Sequence, residues 1–192
     1  MKNIIKNSFQ DSINTKKLFL EDDDLIESIS NTAQEIIECL NNKGTIFFAG
    51  NGGSFADSQH ITAEFTSRFL FDRDSLPAIA LGTNSSSMSA IANDYGYEKI
   101  FSREISSLGS LNDIFIPITT SGNSLNLIHA AKEAQRKNLK VVALTGESGG
   151  KLASICNCIK VPSSKVPRIQ ECHILIGHIL CQIVEEELFK VK

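Results

Sequence analysis

Four polar residues, Asp57, His60, Glu64 and Arg68, recur at intervals of three and four. His60 and Glu64 at i and i+4 share one face of a helix, and Asp57 and Arg68 extend the same stripe. An imidazole beside a carboxylate can move protons near neutral pH or ligate a metal. A solvated face laced with ion pairs explains the spacing equally well. Near the end of the chain, Arg168, Gln170, Glu171, His173 and His178 stand among Ile169, Ile174, Leu175, Ile176, Ile179 and Leu180. A histidine in so apolar a run is ordinarily a satisfied core residue. Two helices can nevertheless each offer a His and an oxygen donor to one metal. Periodicity alone places His178 with Glu171, seven residues and two turns away.

Three loops also carry chemistry. Gly50-Asn51-Gly52-Gly53-Ser54 follows an apolar run and precedes a helical pattern. Glycines there let backbone approach a ligand, and the helix start offers free N–H groups. A dinucleotide fingerprint needs glycine at position 55, where Phe55 stands, so NAD binding is a poor fit. Thr119-Thr120-Ser121-Gly122-Asn123-Ser124 sets four hydroxyls around one glycine before another helix. Hydroxyls, amides and the helix dipole together suit a phosphate monoester. Capping by Ser121 or Asn123 is the plain alternative, but capping needs one such residue. Thr145-Gly146-Glu147-Ser148-Gly149-Gly150-Lys151-Leu152 is one residue short of a Walker A loop, with Leu152 where the magnesium hydroxyl belongs. ATP hydrolysis is therefore rejected, and this segment reads as a turn lining a pocket.

The elements that must hold these loops follow from the apolar pattern. Ile5, Phe9 and Ile13, then Ile26, Ile29, Ala33, Ile36, Ile37 and Leu40, predict two helices in the first forty residues. The acidic cluster Glu21–Asp24 separates them, and Asn41, Asn42 and Gly44 end the second. Five short apolar runs, Thr45–Ala49, Ala78–Leu81, Ile114–Ile118, Val141–Leu144 and Cys158–Val161, predict strands buried on both faces. Helical patterns at Ser54–Phe69, Ser86–Ala92, Ser124–Lys137 and Lys151–Ile155 separate most of them, and a long helix over Ile169–Phe189 closes the chain. Alternating β and α elements predict an α/β fold with a parallel sheet covered on both sides. Ligands in such sheets bind beyond the carboxyl ends of the strands, where these loops lie.

Composition narrows the function classes. The 192 residues carry 19 Lys+Arg and 22 Asp+Glu, a net charge of −3, with 42% hydrophobic and 21% charged residues. That is globular rather than disordered, and a chain of this length buries roughly 70% of its unfolded surface in one core. Mild acidity argues against nucleic acid or anionic lipid as partner. The run Ile174–Cys181 is far short of a membrane span of about 18–20 residues and contains His178. The N-terminal segment has no long apolar stretch, so no secretory signal is expected. Five cysteines, at 39, 156, 158, 172 and 181, form no C-x-x-C pair, which suits reduced thiols in a cytoplasm. The expected division is an N-terminal helical extension over 1–42 and one domain over 43–192.

Taken together, Gly50-Asn51-Gly52-Gly53-Ser54, Asp57-x-x-His60-x-x-x-Glu64, Asn93-Asp94-Tyr95-Gly96-Tyr97, Thr120-Ser121-Gly122-Asn123-Ser124 and Arg168-Ile169-Gln170-Glu171 leading to His178 resemble the phosphoheptose isomerases of the SIS domain superfamily. The resemblance covers nearly the whole chain. It implies a flavodoxin-like five-stranded parallel sheet flanked by helices, and a homotetramer whose terminal helices pack between subunits. It implies conversion of sedoheptulose 7-phosphate to D-glycero-D-manno-heptose 7-phosphate, the first step of nucleotide-heptose supply for surface glycans such as lipopolysaccharide. It assigns Glu64 as general base and His178 as partner acid/base. It implies a zinc ion on His60, Glu64, Gln170 and His178. Asn51, Ser54, Asp94, Thr120, Ser121 and Ser124 would hold the sugar phosphate, with Gly52, Gly53, Asp57, Arg68, Asn93, Thr119 and Gln170 completing the binding set. Two departures stand out: Thr119 replaces a frequent serine, and Pro167 sits where a small polar residue is expected. Rival readings are a non-catalytic tetramer of the same superfamily that binds the replication initiator, and an isomerase of another sugar phosphate. A sugar-phosphate-sensing regulator would normally need a DNA-binding module, and no additional domain or strong basic recognition helix is evident.

Overall fold

The computed structural model describes residues 1–190. Helix α1 (Lys2–Leu20) and helix α2 (Asp23–Asn41) are separated at the acidic cluster, where the Asp22 carboxylate caps α2 by accepting from the Leu25 amide at 3.0 Å. A cap of this kind is worth about 1 kcal/mol, and Asp23 and Asp24 in the first turn add a favourable dipole interaction. At the other end of α2 the left-handed turn residue is Lys43, with φ of 60°, rather than Gly44.

The rest of the chain alternates β1 (Ile46–Gly50), α3 (Gly53–Thr66), β2 (Ala78–Ala80), α4 (Ser85–Tyr95), α5 (Ile100–Leu108), β3 (Ile114–Ile118), α6 (Leu125–Arg136), β4 (Lys140–Gly146), β5 (Asn157–Val161) and α7 (Val166–Phe189). Short 3-10 turns occupy Tyr97–Lys99 and Gly150–Ser154. The five strands form one parallel sheet in the order β2-β1-β3-β4-β5. This is the flavodoxin-like arrangement expected, and its strand order reverses between β1 and β3.

Strand residues alternate between two cores because successive side chains leave a strand on opposite faces. Ile46, Phe48, Ile114, Ile116 and Ile118 join Ile36 of α2, Ile61 and Phe65 of α3, and Ile176 and Leu180 of α7. Phe47, Ala49 and Phe115 face the other way, onto Phe101 and Ile105 of α5 and Leu127 and Ala131 of α6. Each such phenylalanine is at most 1% exposed, and truncation to alanine costs about 3–5 kcal/mol.

Three features differ from the sequence reading. Helix α5 was not anticipated, although Ile100, Phe101 and Ile105 are its buried face. The segment expected as a helix over Lys151–Ile155 is the 3-10 turn Gly150–Ser154. Helix α3 ends at Thr66, so Arg68 lies beyond the helix and is exposed rather than continuing the stripe from Asp57. Pro167, by contrast, is accounted for: it sits in the first turn of α7, where its missing N–H costs nothing. Among the described residues no helix is long and apolar enough to cross a membrane.

Candidate active site at the switch point

Gly50 and Ile118 are register neighbours in β1 and β3. The two loops that follow, one rich in glycine and one in hydroxyls, therefore leave the sheet side by side. A reciprocal amide pair ties them together. Asn51 Nδ2 donates to Asn126 Oδ1 at 3.0 Å, and Asn126 Nδ2 donates to Asn51 Oδ1 at 2.8 Å. The Tyr97 hydroxyl also donates to Asn51 Oδ1, at 3.2 Å. Asn51, expected to touch substrate, thus spends its side-chain oxygen on the scaffold. Asn126 was missed, and Tyr97 entered only as the end of the Asn93–Tyr97 motif, because nothing in their local sequence marks a partner 75 or 46 residues away.

Gly52, at the start of α3, has φ of 58° and ψ of −120°, a conformation that strongly favours glycine. At Gly53 a Cβ would come within 2.6 Å of Gln170 Nε2. Glycine here lets the Gln170 amide rest against the first turn of α3. Ser54 is buried beside them. In the hydroxyl loop, Thr119 is buried and accepts from the Gly122 amide at 3.3 Å, with Ser124 Oγ at 3.4 Å. Thr119 thus shapes the loop from inside. Ser121 is exposed and accepts from the Asn123 amide at 3.1 Å. Thr120, Ser121 and Asn123 line a cavity completed by Glu147, Ser148, Ser163 and Ile169.

Helices α3 and α7 pack against each other, and their facing side chains converge. His60 Nε2 lies 3.1 Å from Glu64 Oε1, and His178 Nε2 lies 3.4 Å from His60 Nε2. One ligating atom from each of these three residues falls within 4.8 Å of the other two. The His60 and His178 rings meet edge to face at 5.1 Å, and Phe69 stacks on the other ring at 5.4 Å. Two imidazoles and a carboxylate are a zinc donor set. Bonds of about 2.0–2.1 Å at a tetrahedral angle separate donor atoms by about 3.3 Å, close to the two distances observed. The residues present therefore fit a divalent zinc ion. Asp57, on the same helix, is half-buried; burial raises its carboxyl above the usual range, opposed by the charge of His60.

The alternative partner of His178 inferred from periodicity is not the one the fold selects. Glu171 accepts from Arg168 Nη2 at 2.6 Å and lies 3.9 Å from Lys16 of α1. Arg168 also donates to the Ser8 carbonyl, and Lys165 pairs with Asp11 at 2.6 Å. These contacts fasten α1 to the start of α7. Asn93 and Asp94 hydrogen-bond each other at 2.8 Å and line a different cavity, with Ser85, Ser86 and Ser89 on α4. His173 is a core residue: fully buried, with Nε2 3.1 Å from the Thr145 carbonyl. Burial pushes its pKa down to about 4, outweighing that carbonyl.

One further group escaped the sequence reading. Glu185 is fully enclosed, and its carboxylate accepts from the amides of Phe69 at 2.9 Å and Leu70 at 2.7 Å and from Arg73 Nε at 2.8 Å. Burial alone would raise its pKa, but the two amides and the guanidinium more than reverse that, so it is lowered.

Comparison with known proteins places the chain in a family. The sequence pattern of the SIS domain matches residues 9–146. A phosphoheptose isomerase of Aneurinibacillus thermoaerophilus is 51% identical over 193 residues, covering 100% of this chain and 98% of that protein. Phosphoheptose isomerase 2 of Campylobacter jejuni subsp. jejuni serotype O:2 is 51% identical, covering 96% of this chain and 92% of its own length. The solved structure of a phosphoheptose isomerase from Francisella tularensis superimposes with a TM-score of 0.92 at 38% identity, covering 96% of this chain and 97% of that one. With relatives this similar over its whole length, the chain belongs to the phosphoheptose isomerase family of SIS domain proteins.

Proposed function

We propose that this chain is an aldose–ketose isomerase interconverting sedoheptulose 7-phosphate and D-glycero-D-manno-heptose 7-phosphate, which feeds nucleotide-heptose synthesis for surface glycans. The observation that carries this reading is the convergence of Glu64, His60 and His178 between α3 and α7, on a scaffold whose loop after β3 lines a separate cavity with hydroxyls.

The reaction moves one proton between adjacent carbons through an enediol. Glu64 takes the proton from C1 of the ketose and returns it to C2. His178 exchanges the proton between the two oxygens, a task suited to imidazole near neutral pH. Thr120, Ser121 and Ser124, with amides at the start of α6, hold the phosphate. His60, Glu64 and His178 would hold a zinc ion, with the Gln170 amide oxygen as fourth donor. When bound, zinc supplies Lewis-acid polarisation of the carbonyl. A carboxylate shared with a cation is a weaker base, so the two roles of Glu64 compete, and proton transfer is the one assigned as primary.

The remaining parts of the reading concern the setting. Ile4, Ile5, Phe9 and Ile13 on α1 are 48–70% exposed, and α1, α2 and α7 enclose an apolar groove lined by Phe19, Ile29 and Ile176. Faces of this kind support a homotetramer with α1 between subunits. Residues 1–42 are the helical extension and 43–192 the SIS domain, with positions 191 and 192 outside the described residues; α2 nevertheless contributes Ile36 and Ile37 to the main core. Five free cysteines suit a reducing, cytoplasmic setting.

A stereochemically resolved assay on C6 and C7 ketose phosphates, with and without chelator, tests this function. Turnover of sedoheptulose 7-phosphate is expected. Absence of turnover on the whole panel would overturn it, and a preference for a C6 substrate would reassign the sugar.

A further inference from the structure

The buried Arg73–Glu185 pair raises a question that the chemistry above leaves unanswered. Its side chains are 2% and 0% exposed. Buried ion pairs are weak evidence for stability, since apolar replacements often serve as well. A pair that joins several chain segments at once does something an apolar contact does less specifically, and this one joins three. Arg73 donates to the carbonyls of Glu64 at 2.8 Å and Phe65 at 2.9 Å, the last turn of α3. Glu185 belongs to α7, seven residues and two turns from His178, so the two side chains leave the same side of that helix. Between them runs the loop after α3, whose Phe69 and Leu70 amides both end on Glu185.

What this clasp presents to the site is the Phe69 ring, parallel to the His178 imidazole within 20° and 5.4 Å away. The terminal torsion of a histidine side chain is broad and easily rotated. His178 is only half-buried, so its own surroundings do not restrain it fully. A flat ring on one face blocks the imidazole from swinging towards that side, and in the orientation it keeps, Nε2 lies 3.4 Å from His60 Nε2.

We propose that Phe69, fixed by the Arg73–Glu185 clasp, is the positioning residue of His178, orienting its Nε2 toward His60 and Glu64. Phe69 touches no reacting atom in this account. Its effect on turnover rests on the role given to His178 above, whereas its effect on the ring does not.

The test uses the full-length protein with its histidines labelled in the ring. His178 is assigned by loss of its signals in His178→Gln. Phe69→Leu keeps the apolar volume and removes the ring; Phe69→Tyr restores a ring. In Phe69→Leu the His178 ring resonances lose the shift imposed by the aromatic neighbour, and kcat falls about tenfold or more with KM changed less than threefold, as expected for a misaligned group. Phe69→Tyr returns both towards the parent values. Glu185→Gln reproduces the spectral change if it folds, and the Phe69 variants decide the matter if it does not. Unchanged His178 resonances in Phe69→Leu overturn the proposal, as does a spectral change with unaltered kcat in an active enzyme. If the parent protein turns over no ketose phosphate, the isomerase reading falls. The cross-relaxation contact between the His60 and His178 ring protons then judges the positioning, its loss in Phe69→Leu and return in Phe69→Tyr supporting it and its retention in Phe69→Leu rejecting it.

Discussion

His60 and His178 stand 118 residues apart in the chain and face each other Nε2 to Nε2 at 3.4 Å, with Glu64 closing the group at 3.1 Å from His60. At most one proton fits between those two nitrogens. Their approach, together with a carboxylate, is the feature on which the site proposed between α3 and α7 rests.

The base assignment predicts that Glu64→Gln abolishes isomerisation, lowering kcat by about 100-fold or more, the range general-base groups supply. Substrate binding stays within a few-fold. Steady-state kinetics with calorimetric binding of the sugar phosphate check this, and a near-parental rate would remove Glu64 from the mechanism.

Phosphate capture by the hydroxyl loop predicts that the double variant Ser121→Ala, Ser124→Ala weakens substrate binding well beyond tenfold, more than about 1.4 kcal/mol. Thr119 is expected to behave differently. Its hydroxyl accepts from the Gly122 amide inside the loop, so Thr119→Val acts on loop order and lowers thermal stability as well as affinity. Binding titrations and thermal melts of both variants separate the two effects.

Metal analysis provides a test independent of turnover. Protein prepared with zinc is expected to retain about one ion per chain after dialysis, and His60→Ala to weaken zinc binding by about 100-fold or more, because one of four protein donors is lost. Equal zinc content in His60→Ala and the parent would dismantle the site.

His173 predicts a pH dependence unrelated to catalysis. Its folded pKa of about 4 lies below the ordinary value of 6.5. Between those values the unfolded chain binds a proton that the buried ring cannot accept. Stability from this group is therefore complete above about pH 6.5 and is lost as pH falls towards 4. The loss amounts to about 3 kcal/mol over the window. Denaturant unfolding at pH 7 and pH 4.5 should show it, and His173→Gln should flatten that part of the slope.

The exposed apolar face of α1 predicts self-association. Light scattering at micromolar concentration should give the mass of four chains, and Phe9→Glu with Ile13→Glu should reduce it. A stable parental monomer would contradict the tetramer.

Much of this protein was legible one segment at a time. Ile114–Ile118 is apolar throughout because both faces of β3 are covered, and such a run needs no tertiary knowledge to read as a buried strand. The glycine loop and the hydroxyl loop announced their chemistry through composition, and their place beyond the strand ends followed from β/α alternation. His60 and Glu64 share a face by helical spacing alone. That same spacing argument failed wherever the partner came from another element. It extended the α3 stripe to Arg68, although the helix stops at Thr66. On α7, periodicity pointed His178 towards Glu171, while Glu171 pairs with Arg168 one turn back on the same helix and lies beside Lys16 of α1. The Asn51–Asn126 pair and the Arg73–Glu185 clasp span 75 and 112 residues. Periodicity describes which side chains one element sends to one side. Which side chains meet there depends on how helices cross and which loops close over them, and that is settled only when burial of one core brings α3 against α7 and the pairing of β1 with β3 sets the two loops side by side.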